Sequence, residues 1–373
     1  MIVKNLTLKN FRNYENQQIS FSDSTNIICG RNANGKTNIL EAIYLFSCGK
    51  SHRAHSDSEM INFEKDSAQI KIEFESRGRE FKAVMNISRS GKKIITVNNV
   101  PVRKLSKLIS YLNVILFSPD DLAIVKGSPS GRRKFMDSAI CRMHPSYMAA
   151  LSEYQKAAAE KNILLKDLRK KGVSNDAYLS VWNEQLAEAA EKIVKYRQEF
   201  VNEISSLAAE IQRNISSEEL HISYEANLKQ EKAKDIFEFL EKNQFREINA
   251  ASMCYGIQRD DIAILIGTSD ARIYASQGQQ RTAALSLKIA EADYIYAHTG
   301  EYPVLLLDDI MSELDLGRRM YLWQKVTGKQ VMITCTDTDI FENKHGARLF
   351  TVKNNAVTNT DFQGSDADVS TSG

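Results

Sequence analysis

The most constraining feature of this chain is an eight-residue loop near its start, Gly30-Arg31-Asn32-Ala33-Asn34-Gly35-Lys36-Thr37. An apolar run, Asn26-Ile27-Ile28-Cys29, reads as a buried strand leading into it, and Asn38 to Leu45 reads as a helix leading out. Glycines at both ends let the backbone fold tightly, so successive N–H groups point into one small volume. The following helix adds the positive end of its dipole. A GxxxxGK[ST] loop between a strand and a helix is a phosphate cradle. Gly30 through Thr37 are therefore the candidate ATP-binding residues, with Lys36 reaching the β- and γ-phosphates and Thr37 ligating Mg²⁺.

Such a cradle needs an acidic partner for the cation. Val304-Leu305-Leu306-Leu307-Asp308-Asp309 supplies one, as an apolar strand carrying two carboxylates at its C-terminal end. Asp308 is the expected Mg²⁺ partner, and Asp309 the acceptor of a proton from the attacking water. In a parallel sheet the C-terminal edge of this strand is expected to bring both carboxylates beside the loop.

Most of the chain lies outside these two segments. Period-two alternation over Ile2 to Leu8, Gln18 to Phe21 and Ala68 to Ile95 predicts antiparallel strands, with turns at Ser76–Arg79 and Ser88–Lys93. Leu112 to Phe117 reads as another buried strand. From Arg132 to Arg213 the chain is rich in Ala, Leu, Glu, Lys and Gln, predicting two long helices folded back at Lys171–Ser174. At ~1.5 Å per residue this makes a stubby arm of a few tens of ångströms. A helix over 278–297, a strand at 304–307, a helix near 316–325 and a strand at 330–334 close the pattern.

The remaining composition mostly excludes. The 373 residues include 43% hydrophobic and 26% charged types, enough for two packed lobes. A net charge of +2 neither demands nor excludes nucleic acid, since phosphate affinity depends on where charge clusters. Five scattered cysteines with no CxxC pair read as reduced thiols rather than a disulfide frame or a zinc site. With no signal-peptide pattern and no apolar run near ~20 residues, a soluble cytoplasmic protein is expected.

A second anion site is written at Ser276-Gln277-Gly278-Gln279, where a Ser-x-Gly turn opens a helix. An ordinary helix cap explains the same serine equally well. If the turn and the cradle do not meet within one chain, the turn suits the γ-phosphate of a partner's ATP across a twofold interface. Asp315, after the acidic strand, falls at that same interface.

At this point the chain resembles the ATP-binding-cassette ATPases that handle chromosomes, and among them closely the RecF family. Besides the motifs above, the resemblance rests on Phe11-Arg12-Asn13-Tyr14, Gly49-Lys50-Ser51-His52-Arg53, Pro119-Asp120-Asp121-Leu122, Val125 to Pro129, Arg132-Arg133-Lys134-Phe135-Met136-Asp137 and Arg259-Asp260-Asp261. It implies an α/β fold with an ABC-type ATPase head, a mixed sheet carrying the P-loop, and a helical second lobe with a short antiparallel arm. Residues 1–122 and 299–357 would form the ATP-binding lobe, 123–298 the helical lobe with the signature turn, and 358–373 a disordered tail. It also implies ATP-driven dimerisation on gapped or single-stranded DNA, slow hydrolysis and help in loading the RecA recombinase. RecR and RecO are the implied partners, with a link to the SOS response.

Some positions depart from that family. Gly256-Ile257-Gln258-Arg259-Asp260-Asp261 stands where it usually has Gly-Pro-His-Arg-Asp-Asp, so Ile257 and Gln258 receive no role. Where transporter cassettes use a glutamine to watch Mg²⁺, the matching region here is Phe117-Ser118-Pro119-Asp120, which makes Asp120 a candidate for contacting the cation through water. Asp309 replaces a common Glu, and Thr334-Cys335-Thr336 stands where a His is frequent. The last two changes fit slow turnover.

Candidate DNA contacts are Arg77, Arg79, Lys92, Lys93 and Lys104, from a basic stretch with few acids, where phosphate contacts give affinity without sequence preference. Lys126 and Arg132 to Lys134 form a second group, whose arginines fit packing equally well. Arg12 is either a contact to adenine or γ-phosphate or a turn arginine. A transporter motor is disfavoured by the Pro119–Asp137 element. A DNA-cutting enzyme needs a further acidic metal cluster, for which no segment is left.

Overall fold

The computed structural model describes residues 1–173, 176–337 and 346–360. Strand β1 (Ile2–Phe11) pairs with β2 (Tyr14–Ser20), and β3 (Thr25–Cys29) leads through the glycine loop into α1 (Lys36–Cys48). Then come β4 (Ser67–Ser76), β5 (Arg79–Ser88), β6 (Ile94–Val97), β7 (Val100–Pro101), α2 (Leu105–Ile109) and β8 (Val114–Phe117). An antiparallel sheet in the order β2-β1-β4-β5-β6-β7 results. Its inner face carries Leu6, Leu8, Ile70, Ile72, Phe74, Ala83, Met85 and Ile87, the alternation that period two demands. A register shift between Val3 and Asn5 lets Val3 and Leu6 both face inward, although three residues separate them.

The chain then builds a separate unit, Asp120–Gly300. It contains α3 (Leu122–Lys126), α4 (Pro129–Met143), α5 (Pro145–Lys171), α6 (Ala177–Ser216), β9 (Leu220–Glu225), α7 (Ala233–Lys242) and α8 (Gln244–Ala250). It closes with β10 (Asp261–Ile266), β11 (Ser269–Asp270), α9 (Ala271–Tyr274) and α10 (Gln277–Thr299). Helices α5 and α6 form the antiparallel pair folded back after Lys171. The expected single helix before that fold is two, because Pro145 forces His144 out of helical geometry, with φ −124° and ψ 93°. Leu186, Ala190, Ile193, Arg197, Val201, Ile204, Ala208 and Ile211 line the buried face of α6 at helical spacing. That helix packs on α5, α7, α10 and β9, making it the spine of the unit.

From Glu301 the chain rejoins the first unit, Met1–Pro119 with Glu301 onward. It adds β12 (Val304–Asp308), α11 (Ile310–Glu313), α12 (Leu316–Val326), β13 (Val331–Cys335), β14 (Arg348–Lys353) and β15 (Ala356–Thr360). The central sheet runs β15-β14-β3-β13-β12-β8, parallel except for the β14–β15 hairpin. Helix α1 shares one apolar core with the antiparallel sheet and one face of the central sheet, through Ile39, Leu40, Ile43, Phe46, Leu116, Leu306 and Met332. Each such fully buried side chain stabilises by about 1.5–3 kcal/mol.

The acidic strand is separated from the loop strand by β13, in a parallel arrangement that still brings Asp308 to the loop. One expectation needs correction. The expected tail begins too early, since Thr358 to Thr360 complete β15, while 361–373 lie outside the described residues. No helix among the described residues is long and apolar enough to cross a membrane.

Candidate functional site

Both loop glycines have a steric reason. A Cβ on Gly30 would meet the Val352 carbonyl oxygen of β14 at 2.5 Å. Gly35 adopts φ +101°, and a Cβ there would strike the Asn13 amide at 2.5 Å and the Tyr14 hydroxyl at 2.9 Å. Neighbouring strands thus hold the loop in one conformation before any ligand arrives. Arg31, Asn32 and Ala33 are exposed, and Asn34 is half-buried. Lys36 is folded back, its Nζ donating to the Gly30 and Arg31 carbonyls at 2.8 and 3.3 Å. No side chain caps the start of α1, so the helix N-terminus is left for an anion.

The central sheet then brings the acidic pair to the loop. Thr37 Oγ1 donates to Asp308 Oδ1 at 3.0 Å, joining residues 271 positions apart. The same carboxylate oxygen accepts from Thr334 Oγ1 at 2.8 Å, and that hydroxyl accepts from the Asp309 N–H at 2.9 Å. Thr334, on β13, is register-paired with Ile28 on one side and Asp308 on the other, so it fills the gap left by the intervening strand. Sequence reasoning placed its hydroxyl near a phosphate but missed this linking role.

A hydroxyl and one carboxylate are a hard-oxygen pair. That matches Mg²⁺, which takes one or two carboxylates and fills its other positions with phosphate and water. Among the described residues no group of three or more His, Cys, Asp or Glu could hold a metal alone. The donor set therefore fits a cation that arrives with its phosphates.

Asp309 takes φ 53° at the start of α11, a left-handed conformation uncommon for a non-glycine residue. Burial raises its carboxyl above the ordinary Asp value and Asp308 pushes the same way, while Lys36 opposes. A carboxylate raised in this way is a better proton acceptor near neutral pH.

Arg12 is spent on the protein itself. Its guanidinium makes a paired contact with fully buried Glu41, Nε to Oε2 at 2.9 Å and Nη2 to Oε1 at 2.6 Å, and Nη1 donates to the Glu59 carbonyl at 2.8 Å. Glu41 also accepts from Ser51, which accounts for the Gly49–Arg53 element. Its signal was visible, as a carboxylate inside an otherwise apolar stretch of helix. Arg12 still borders a cleft of about 800 Å³ alongside the loop, with Asn13, Asn38, Arg53, Phe63 and Asn355. Side-chain amides connect that wall: Arg53 donates to Asn38, Asn38 to Asn13, and Asn13 to Asn355.

The signature turn sits in the second unit. Ser276 caps α10, its hydroxyl accepting from the Gln279 N–H at 3.2 Å while Gln279 Oε1 accepts from the Ser276 N–H at 2.8 Å. Gln279 Nε2 reaches Glu218 at 2.7 Å. Ser276 and Gln277 are exposed and Gly278 is half-buried. Asp315 caps α12 and is held below the usual carboxylate range chiefly by the Arg318 backbone N–H. Asp120 is exposed in the turn Pro119–Asp121.

The basic groups divide. Arg77, Arg79, Lys92 and Lys104 are exposed. Lys93 is not available as a surface cation, because its Nζ is committed to the Gly49 carbonyl and Asp57, each at 2.8 Å. Arg132 and Arg133 are packing residues. The first grips Asp261 through two contacts at 2.7 and 2.8 Å, and the second donates to the Asp260 carbonyl. Asp137 and Asp260 meet buried Arg197, which also donates to the Ile257 carbonyl. The two motifs, far apart in sequence, thus lock onto one another. Ile257 is buried and Gln258 accepts from Tyr154, so the departures at 257–258 serve that packing.

Comparison with known proteins agrees with this geometry. Residues 2–359 match the family described as the RecF/RecN/SMC N terminal domain. The DNA replication and repair protein RecF of Agathobacter rectalis is 42% identical over 345 residues, covering 91% of this chain and 94% of that protein. The chain belongs to the RecF family. RecF of Bacillus cereus is 40% identical, covering 92% and 94% of the two chains. A solved structure described as the recombination mediator protein RecF with ATP in the RecFOR pathway superposes with TM-score 0.90 at 33% identity, over 96% of this chain and 98% of that one. The Smc head domain of Pyrococcus furiosus, at TM-score 0.58 and 18% identity, shares the fold. As a RecF-family member this chain is a DNA replication and repair protein with an ABC-type ATPase head.

Proposed function

We propose that this chain binds ATP with Mg²⁺ in the loop Gly30–Thr37 and uses it to join two copies on gapped or single-stranded DNA. The carrying observation is the Thr37–Asp308 contact at 3.0 Å, which unites cradle and acidic strand. Thr37 and Asp308 would hold the cation, which supplies neutralisation of phosphate charge. Lys36 uncurls from its loop carbonyls to the β- and γ-phosphates, and Asp309 accepts the proton of the attacking water. Ser276 to Gln279 of the partner subunit would cover the γ-phosphate, with Asp315 at the same interface, completing a symmetric sandwich.

Hydrolysis in this reading is slow and resets the clamp. Asp309 has shorter reach than a glutamate, and only Thr334, Cys335 and Thr336 stand where many cassettes place a histidine. Arg77, Arg79, Lys92 and Lys104 contribute phosphate contacts without reading bases. The solved relative's place in the RecFOR pathway supports RecR and RecO as partners, with RecA loading and the SOS response downstream. Sedimentation with and without ATP and gapped DNA tests the proposal. Wild type is expected to dimerise with ATP, and Lys36→Met to lose ATP binding and dimerisation together. ATP-dependent DNA binding by an unchanged Lys36→Met dimer refutes it.

A further inference from the structure

Two cysteines meet at the base of the phosphate loop. Cys29 ends β3, Cys335 ends β13, and the two are register partners on adjacent parallel strands. Register partners in a parallel sheet place their side chains on the same face. Cys29 Sγ lies 3.6 Å from the Thr336 carbonyl, which puts the sulfur over the end of β13. Cys335 is buried, whereas Cys29 is half-exposed.

Neighbouring strands lie about 4.7–4.9 Å apart. That falls within the Cα separations a disulfide spans, roughly 4.4–6.8 Å, but Cβ atoms must close to about 3.8 Å. Bond formation therefore draws the two strand ends together by ~1 Å. Gly30 is the next residue. Its N–H donates to the Cys335 carbonyl at 3.2 Å, its carbonyl holds Lys36, and its Cα rests against Val352 on the opposite strand. Movement of the strand ends therefore acts on these contacts directly.

We propose that Cys29 and Cys335 are a reversible modification site, closed to a disulfide by hydroperoxides, that switches off the phosphate loop. The Cys29 sulfur, the accessible one, attacks a peroxide oxygen and becomes a sulfenic acid, releasing water. The Cys335 sulfur then attacks Cys29 and expels the hydroxyl as a second water. Two thiols and one hydrogen peroxide thus give one disulfide and two waters, the two electrons passing from sulfur to the peroxide. A dithiol reductant reverses the step. The site itself is independent of ligand, while the switching effect rests on the nucleotide reading above.

The test treats the full chain with excess hydrogen peroxide, quenches with catalase, alkylates remaining thiols under denaturing conditions and maps peptides by mass spectrometry. A peptide pair linked through Cys29 and Cys335, released by dithiothreitol, is expected. ATP affinity should fall about tenfold or more, equivalent to ~1.4 kcal/mol, and recover on reduction. In Cys29→Ser, peroxide should leave affinity at that variant's own untreated value. Full alkylation of both cysteines after peroxide, or a linked protein with unchanged ATP affinity, overturns the proposal. Failure of the nucleotide reading is distinguishable, because untreated protein would then lack ATP affinity while peptide mapping still decides the modification site.

Discussion

Thr334→Val isolates the role of one hydroxyl. The residue is fully buried and valine nearly matches its shape, so packing changes little. Three contacts vanish: the 2.8 Å donation to Asp308 Oδ1, a longer 3.5 Å approach to the Leu307 carbonyl, and the 2.9 Å acceptance from the Asp309 N–H. Asp308 retains Thr37 as a partner, and no other hydrogen bond from the Asp309 N–H is seen among the described residues. A hydrogen bond to a charged group contributes about 1.5–3 kcal/mol, and an unsatisfied buried donor costs about 1–3 kcal/mol. A stability loss of about 2.5–6 kcal/mol is therefore expected by urea denaturation. The phosphate loop itself is untouched, so ATP affinity measured without divalent cation should change by less than about threefold, under ~0.7 kcal/mol. Single-turnover hydrolysis should fall about 10–100-fold, because 1.4–2.7 kcal/mol of misplacement at Asp308 and Asp309 enters the barrier directly. Thr334→Ser restores the hydroxyl and should recover most of the rate, at the cost of a methyl-sized void. Hydrolysis unchanged in Thr334→Val at saturating Mg-ATP, or equal losses in affinity and rate, would refute the positioning argument.

Ser276→Arg should leave ATP binding by the monomer near wild type but prevent dimer closure, read by sedimentation at saturating ATP; loss of monomer binding counts against action in trans. Arg197→Met leaves Asp137 and Asp260 without their cation, and a loss of about 3–5 kcal/mol in urea unfolding is expected. Asp309 carries a raised carboxyl pKa, so its proton is bound more tightly folded than unfolded. Its contribution to stability is full below the ordinary Asp value and lost as pH rises through the raised one. Asp309→Asn should accordingly be the more stable protein at neutral pH and lose that advantage in acid, while hydrolysing little ATP. An advantage that grows in acid contradicts the assigned direction.

The parts legible from sequence were those governed by local rules. Glycine spacing, period-two alternation and the apolar run into Asp308 each act within a dozen residues. Long-range partnerships were legible only where a motif announced them, as for Thr37 and Asp308. For Arg12 and Arg132 the sequence left phosphate contact and packing equally open, because the carboxylates that settle it stand 29 and 129 positions away. Lys93 is neutralised by Asp57 for the same reason. The β14–β15 hairpin escaped notice because its strands alternate weakly, although Asn354 and Asn355 both take positive φ, as a two-residue hairpin turn requires. The break at His144 was written plainly in Pro145 and overlooked within a strongly helical composition.

The strand order carries a consequence for biosynthesis. Strand β3 is flanked by β13 and β14, so the segment that ends at residue 29 gains neither neighbour until Val331 and Arg348 have been made. At roughly 5–20 residues per second, the ribosome needs about 15–60 s to cover that stretch. Throughout it the nascent chain carries an apolar ribbon with both edges open, a template for wrong pairing. A product released before Val331 has the complete cradle sequence and no sheet to hold it. The ability to grip a nucleotide thus reports that translation has run through to the closing strands.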